Sequence, residues 1–221
     1  DTEGVINFVN KTIRTKSRTY TTAQYCGRIA GIIAGTPMTI SCTYAPLPEV
    51  IGCDVWTKEE MDTMAGAGKL FFFFDGEKVK LARGINSLVT TVQDKGTSFQ
   101  KIKLVDLMDM MHDDIRTTAQ DHYLGKYANS YANRCLLVTA IQGYLDQLAQ
   151  EGLLEQDQNT AYIDVESTKI WLESNGKYTK AELADMSDMD IKLANIGSNV
   201  FIAVKASLLD AMEDVTITIN I

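Results

Sequence analysis

The densest group of side chains able to do chemistry is acidic. Asp106, Asp109 and Asp113 recur at three- and four-residue steps, with His112 and Asp114 beside the last of them. On a helix that spacing gathers the carboxylates on one face, where they could hold a divalent cation or share acid–base work with the imidazole. Asp109, His112 and Asp113 are therefore the set a small metal-dependent hydrolase would use. A solvated acidic helix face produces the same pattern, however. The other histidine, His122, lies ten residues further on, on a different face of the same helix, so no second His-bearing motif completes a site.

Other templates fail more plainly. Gly66-Ala-Gly-Lys69 imitates a phosphate loop, but Thr63 stands where the first glycine belongs and Leu70 where a hydroxyl would hold Mg²⁺, and the segment precedes a strand instead of following one. Cys26, Cys42, Cys53 and Cys135 include no C-x-x-C pair and no nearby histidine, so neither a zinc site nor a redox motif is built. Reduced thiols in a cytoplasmic setting are expected. With no G-x-S-x-G, H-E-x-x-H, Walker or G-x-G-x-x-G motif, the expectation is a protein that is not an enzyme, with no cofactor and no metal.

The 221 residues, 45% of them hydrophobic, suffice for one large domain or two small ones. The longest nearly apolar run, around residues 29–34, is far short of the roughly 20 residues a membrane span needs, and no charged-then-apolar leader opens the sequence. It opens at Asp1, without Met and inside what reads as a strand, so further residues are expected upstream. Charge is uneven: residues 1–99 carry 11 Lys+Arg against 10 Asp+Glu, residues 100–221 carry 10 against 19. An acidic second half disfavours nucleic acid and anionic membranes; it suits a basic protein partner, and serves solubility equally.

The elements that must position these residues follow from periodicity. An opening strand over residues 5–13 precedes a basic loop or edge, Lys11 to Arg18. A helix capped by Thr21 or Thr22 then carries the stripe Cys26, Ile29, Ala30, Ile33 and a four-residue glycine repeat, Gly27, Gly31 and Gly35, that would admit a close backbone neighbour. A short strand and a proline loop fill residues 39–50, and Thr57 to Glu60 is a capping box. Leu70 to Phe74, Asp75-Gly76 and a strand from Glu77 to Ile85 predict a type I′ hairpin. After a polar turn at residues 93–96, where the domain boundary is placed, Thr97 to Gln100 is a second capping box. It opens a long helix with the stripe Leu104, Leu107, Met108, Met111, Ile115 and Ala119. A second long helix, capped by Asn129 or Ser130, runs through Leu136, Leu137, Ile141, Leu145 and Leu148 to Gly152, and the two are expected to pair antiparallel. Short helices near residues 165–174 and 187–195 follow, then a strand through Val200, Ile202, Val204 and Ala206.

The last stretch alternates strictly. Val215, Ile217, Ile219 and Ile221 share one face of a strand, Thr216, Thr218 and Asn220 the other. Such an edge must satisfy its backbone groups somewhere, in the same chain against residues 200–206 or in another copy.

The order of segments resembles a known family. Gly31 to Pro37 closing a helix, Ser41 to Tyr44 after it, a Gly-Lys-Leu hairpin, Arg83-Gly-Ile-Asn-Ser-Leu-Val-Thr90, Asp109 to Ile115 within a long helix, Gly125-Lys126, Asn133-Arg134, and Asp210-Ala-Met-Glu-Asp214 before a terminal strand together look like the C-terminal half of a contractile tail sheath protein. The likeness is to sheaths of myophages and of prophages that make phage-tail-like particles. The resemblance implies an α+β chain: residues 1–96 ending a subtilisin-like α/β domain without protease activity, and residues 97–221 forming a C-terminal domain of packed helices on a small, mainly antiparallel sheet. It implies a structural subunit of a virion tail or phage-tail-like particle, made in the bacterial cytoplasm. Its partners would be neighbouring sheath subunits in a helical lattice, the tail tube and the baseplate, with no nucleic acid and no membrane insertion. Val215, Thr216, Ile217, Thr218, Ile219, Asn220 and Ile221 would be the arm donated between subunits, and Val200, Ile202, Val204 and Ala206 the receiving edge. The family's upstream half, with its N-terminal arm, is not in these 221 residues, so neither a full mesh nor contraction is expected of them alone. The rivals are the hydrolase on Asp109, His112 and Asp113 and a non-contractile acidic adaptor.

Overall fold

A computed structural model describes residues 1–93 and 95–219. Asp94, in the expected polar turn, and Asn220 and Ile221, in the expected terminal strand, lie outside the described residues. The chain packs as two compact units, one of residues 1–110 with the segment from 210 onward, the other of residues 111–209.

In the first unit, strands β1 (Asn7–Phe8), β2 (Ile13–Thr15) and β3 (Thr19–Tyr20) precede helix α1 (Thr22–Gly35). Strand β4 (Val50–Cys53), helix α2 (Lys58–Gly66) and strands β5 (Lys69–Leu70), β6 (Phe72–Phe74) and β7 (Val79–Leu81) follow. β1 pairs in parallel with β5, β2 lies between β3 and β4, and β6 and β7 form a hairpin. Ile13, Leu47, Leu70, Phe72 and Leu81 are fully buried, and α1 contributes Tyr25 and Ile29 to the same core. One polar group holds this apolar mass in register. The wholly buried Asn10 accepts the Phe72 N–H at 2.8 Å and donates from Nδ2 to the Phe72 carbonyl at 3.0 Å, so a side chain supplies what a sheet neighbour would.

Three expectations need correction here. α1 begins at the Thr21 capping box, but its inward face is Tyr25 and Ile29 with Ile32 and Ile33 beside them; Cys26 and Ala30 point out. The larger aromatic surface of Tyr25, edge-on to Phe72 at 5.9 Å, wins the core over a thiol and a methyl. A Cβ added at Gly27, Gly31 or Gly35 would meet no atom within 4 Å, so no backbone approaches that face. The hairpin is not a two-residue type I′ turn: Phe74 pairs with Val79, and the Asp75 carboxylate caps the N–H groups of Glu77 and Lys78, which stabilises a longer loop. Those bonds, the Lys78 one first, and Lys80 hold the Asp75 carboxyl well below the usual range.

Thr97–Gln100 forms a 3₁₀ turn, and α3 (Ile102–His122) starts two residues later, beginning in the first unit and ending in the second. Its expected stripe holds at Leu104, Leu107 and Met111. The second unit continues with α4 (Tyr131–Gln150), β8 (Thr160–Ile163), α5 (Val165–Ser174), α6 (Lys180–Asp185), α7 (Asp188–Leu193) and β9 (Ile202–Lys205). α4 is capped by Ser130 and buries Leu137, Ile141, Leu145 and Leu148; Leu136, expected inside, is 53% exposed, and Arg134 is buried instead. The Gln142 amide ties α4 to β8, accepting the Ala161 N–H at 2.9 Å and donating to the Asn159 carbonyl at 3.1 Å. Leu172, Leu183, Ile191 and Ile196 form the core beneath the short helices. The Tyr144 hydroxyl, on α4, reaches Asp114 of α3 at 2.6 Å.

Replacing Asn10 by alanine would strand the buried Phe72 N–H and carbonyl together. Two uncompensated groups predict a loss of about 2–4 kcal/mol, read as a lower urea midpoint with an unchanged slope.

Candidate assembly site

β9 is antiparallel to β8, with Ile202 opposite Ile163 and Val204 opposite Ala161. The neighbouring pair Asp164 and Phe201 is hydrogen-bonded, Asp164 N–H to Phe201 carbonyl at 3.0 Å. Antiparallel ladders alternate, so the backbone N–H and C=O of Ile202 and Val204 point away from β8. No further strand pairs there among the described residues, and the sheet has two strands. Val200 and Ala206 flank this open edge just outside the strand. The partner of β9 is thus β8, a strand absent from the sequence reading, where alternation in Thr160–Ile163 is too short to separate from the polar loop around it.

Among the described residues the terminal segment forms no ladder with β9. Val215, Thr216, Ile217, Thr218 and Ile219 have no strand partner among the described residues, and Val215, Ile217 and Ile219 are more than three-quarters exposed. A strand exists only through its ladder, so an alternating sequence without a partner is not one.

What the sequence reading missed is how this segment is rooted. The Glu213 side chain, 5% exposed, accepts hydrogen bonds from the hydroxyls of Ser41 (2.9 Å) and Thr43, and lies 3.2 Å from Lys101 and 3.7 Å from Arg83. Lys101 also pairs with Asp210, and Arg83 with Asp214. Gly84 makes this possible. Its N–H donates to the Thr43 hydroxyl at 2.9 Å, and a Cβ there would lie 2.8 Å from the Cys42 sulfur. Burial pushes the Cys42 thiol up to about 11, so this sulfur packs as an apolar atom. The hydrogen bond from Arg83 holds Asp214 below the usual carboxylate range and raises Arg83 in turn. For Lys101, burial acts downward but is outweighed by Asp210 and Glu213, and its net shift is upward. Three fragments noted only for their order in sequence, Ser41 to Tyr44, Arg83 to Thr90 and Asp210 to Asp214, therefore meet, with Lys101, in one ionic cluster. The signal available was complementary charge in separated motifs, which a single sequence cannot pair.

Asp109, His112 and Asp113 do not form a comparable site. His112 Nδ1 and Asp113 are 3.4 Å apart with both side chains mostly exposed, and Arg116 takes Asp113 at 3.0 Å. No group of three His, Cys, Asp or Glu able to hold a metal occurs among the described residues, nor is any described helix long and apolar enough to cross a membrane.

Comparison with known proteins settles the family. The phage tail sheath C-terminal domain matches residues 94–221, and the phage tail sheath protein central domain matches residues 1–87. The chain belongs to the phage tail sheath family. The tail sheath protein of Clostridium phage phiCD119 is 41% identical over 220 residues, covering 100% of this chain and 60% of that protein. The phage-like element PBSX protein XkdK of Bacillus subtilis is 29% identical over 120 residues, 52% of this chain and 25% of its own length. The chain thus spans about 60% of the length of the first of these relatives. Its mixed α and β fold is shared with the sheath tail protein from Desulfitobacterium hafniense (TM-score 0.66, 24% identity, 74% of this chain and 40% of that one). It is also shared with the helical sheath of the anti-feeding prophage in the contracted state (TM-score 0.65, 14% identity, 98% and 55%).

The docked carboxylate of Asp214 has the lowered value, so its contribution to holding the tail is complete above the free carboxylate value of about 3.9 and is lost as pH falls through the lower, docked one. The backbone ¹⁵N heteronuclear NOE of Asp214 is expected to stay level from pH 7 to pH 4 and to fall below it. Arg83→Met should lower it already at pH 7.

Proposed function

We propose that this chain is the C-terminal part of a contractile tail sheath subunit, which assembles helically around a tail tube and, on contraction, drives the tube through a host envelope. Residues 1–96 are the end of the subtilisin-like domain and 97–221 the C-terminal domain. The role is structural and not enzymatic, and the subunit resides in a virion tail or phage-tail-like particle after synthesis in the host cytoplasm. Its partners are other sheath subunits, the tube protein and the baseplate.

The observation that carries this reading is the pairing of opposites in one chain: among the described residues, an alternating segment has no ladder and a sheet edge has no neighbour. Val215, Thr216, Ile217, Thr218, Ile219, Asn220 and Ile221 add to the edge at Val200, Ile202, Val204 and Ala206 of another copy. Main-chain hydrogen bonds hold the arm and alternating side chains fix its register. Each such bond nets only about 0.5–1.5 kcal/mol, so a single arm is weak. In a lattice every subunit is donor and acceptor at once, and the weak links become a mesh. Because donor and acceptor surfaces differ, the contact is heterologous and propagates as an open filament. Subunits can then slide and rotate to a wider, shorter arrangement while the arms keep them joined.

Removing residues 215–221 from the full-length subunit is expected to abolish sheath-like tubes in negative-stain electron microscopy; tubes of normal appearance would sink the arm reading. A subtler variant tests the acceptor. The Val204 N–H faces the open edge, so Val204→Pro should leave the β8–β9 ladder and the unfolding midpoint intact while blocking assembly, whereas Ala203→Pro should break the ladder itself.

A further inference from the structure

Between Glu3 and Glu49 the chain carries no acidic residue. Residues 4–48 hold five cations, Lys11, Arg14, Lys16, Arg18 and Arg28, so this stretch is +5, and the rest of the chain, with 16 Lys+Arg against 29 Asp+Glu, is −13. Lys11, Arg14, Lys16 and Arg18 sit on or beside the β2–β3 hairpin and are exposed. None of these four pairs with a carboxylate among the described residues. Two acids beside the hairpin are engaged elsewhere: Glu49 meets Arg28 at 2.7 Å, and Asp54 accepts the Lys11 backbone N–H at 2.7 Å. Two of the guanidinium groups are nonetheless held in place. Arg14 is opposite Gly52 of β4 and its side chain lies over that residue, where a Cβ would stand 2.7 Å from Nη2 and 2.9 Å from Nε. Only a residue without a side chain leaves it that place. Arg18 stands over the Tyr20 ring, 4.3 Å from its centroid.

A cation kept only to guard the edge of β3 against stray pairing has no need of a fixed position. Fixed guanidinium groups without a counter-charge are a preorganised receptor for carboxylates, which the fork takes bidentately. Charge also identifies the partner. A chain at −8 repels its own copies, and the repulsion grows with every subunit added to a polymer unless the contacts set opposite charges together. Each copy brings both surfaces, this hairpin and an acidic second half of 19 Asp+Glu against 10 Lys+Arg. We infer that the β2–β3 hairpin, through Arg14, Lys16 and Arg18, docks on the acidic second half of a neighbouring copy of the chain. This rests on the proposed lattice for its neighbour, but it uses neither the terminal segment nor the β9 edge.

Reversing Arg14 and Arg18 together to Glu keeps an edge guarded by charge and changes only the sign. In the full-length subunit, R14E/R18E is expected to unfold close to the wild-type midpoint, since both side chains are exposed, and to need about tenfold more protein or above to form sheaths in about 0.15 M salt. Added salt should narrow the gap between the two. Gly52→Ala displaces only the Arg14 side chain and should act in the same direction with a smaller effect. Sheaths at the wild-type concentration from R14E/R18E would overturn the inference and leave the cations as edge guards. Independently of those variants, carbodiimide joining of Lys16 in an equal mixture of ¹⁴N- and ¹⁵N-labelled wild-type subunits should give mixed-label peptide pairs that link it to Asp or Glu within residues 100–221. Pairs of a single label, pairs confined to residues 1–99, or no pairs at all would overturn it. Sheath tubes without mixed-label pairs sink the hairpin contact and leave the proposed lattice standing, whereas a wild-type subunit that forms no tubes sinks both.

Discussion

The Glu213 carboxylate, held between two hydroxyls and two cations, is the interaction that fixes where the terminal segment leaves the first unit. A segment free along its whole length would lose much of its effective concentration to its own motion, since a strand must present its backbone groups in one direction to be captured. Asp210, Glu213 and Asp214 are fixed to Lys101 and Arg83, so the rooted part of the segment ends at Asp214. The cluster is partly buried at its centre and exposed at its rim, so Glu213 and Lys101 resist screening more than the Arg83–Asp214 pair does. The close approach at Gly84 is the steric condition beneath it, because the hydroxyls that meet Glu213 stand on a backbone pressed against that glycine.

Much of the helical framework was legible because helices announce their ends. The caps at Thr21, Thr57, Ser130 and Ser187 and the left-handed glycines Gly125 and Gly152 are local signals, and each sits where its chemistry predicts. The strands were less legible for an equally physical reason. β1, β2, β3, β5 and β8 are two to four residues long, too short for alternation to rise above chance, and their existence depends on partners far away in sequence. The terminal segment shows the reverse case. Its alternation is perfect, yet no ladder forms within the described chain, since pattern sets which faces a strand would have and says nothing about where the partner is.

Charged residues inside the fold were the least visible. The stripe of α4 runs through Arg134, and a reading that assigns apolar residues inward passes over it and takes Leu136 instead. Likewise the hydroxyls and cations that root the terminal segment lie far from it in sequence, Ser41 172 positions from Glu213, and only the folded chain brings them together. The acidic face of Asp106, Asp109 and Asp113, the most conspicuous chemistry in the sequence, lies on an exposed helix surface where solvation explains it.

The two-stranded sheet of β8 and β9 has one further consequence. A ribbon this narrow is short of the number of strands that makes a sheet stable by itself, and it leans on α4 through Gln142 for support. An incoming strand would thicken it, so each subunit's resistance to unfolding would become partly the property of its neighbour. Subunits in the middle of a filament would then be sturdier than those at its rim, and a solitary subunit the frailest of all. Wear, proteolysis and thermal damage would begin at the ends of the tube and travel inward, while the body of the polymer guards its own members.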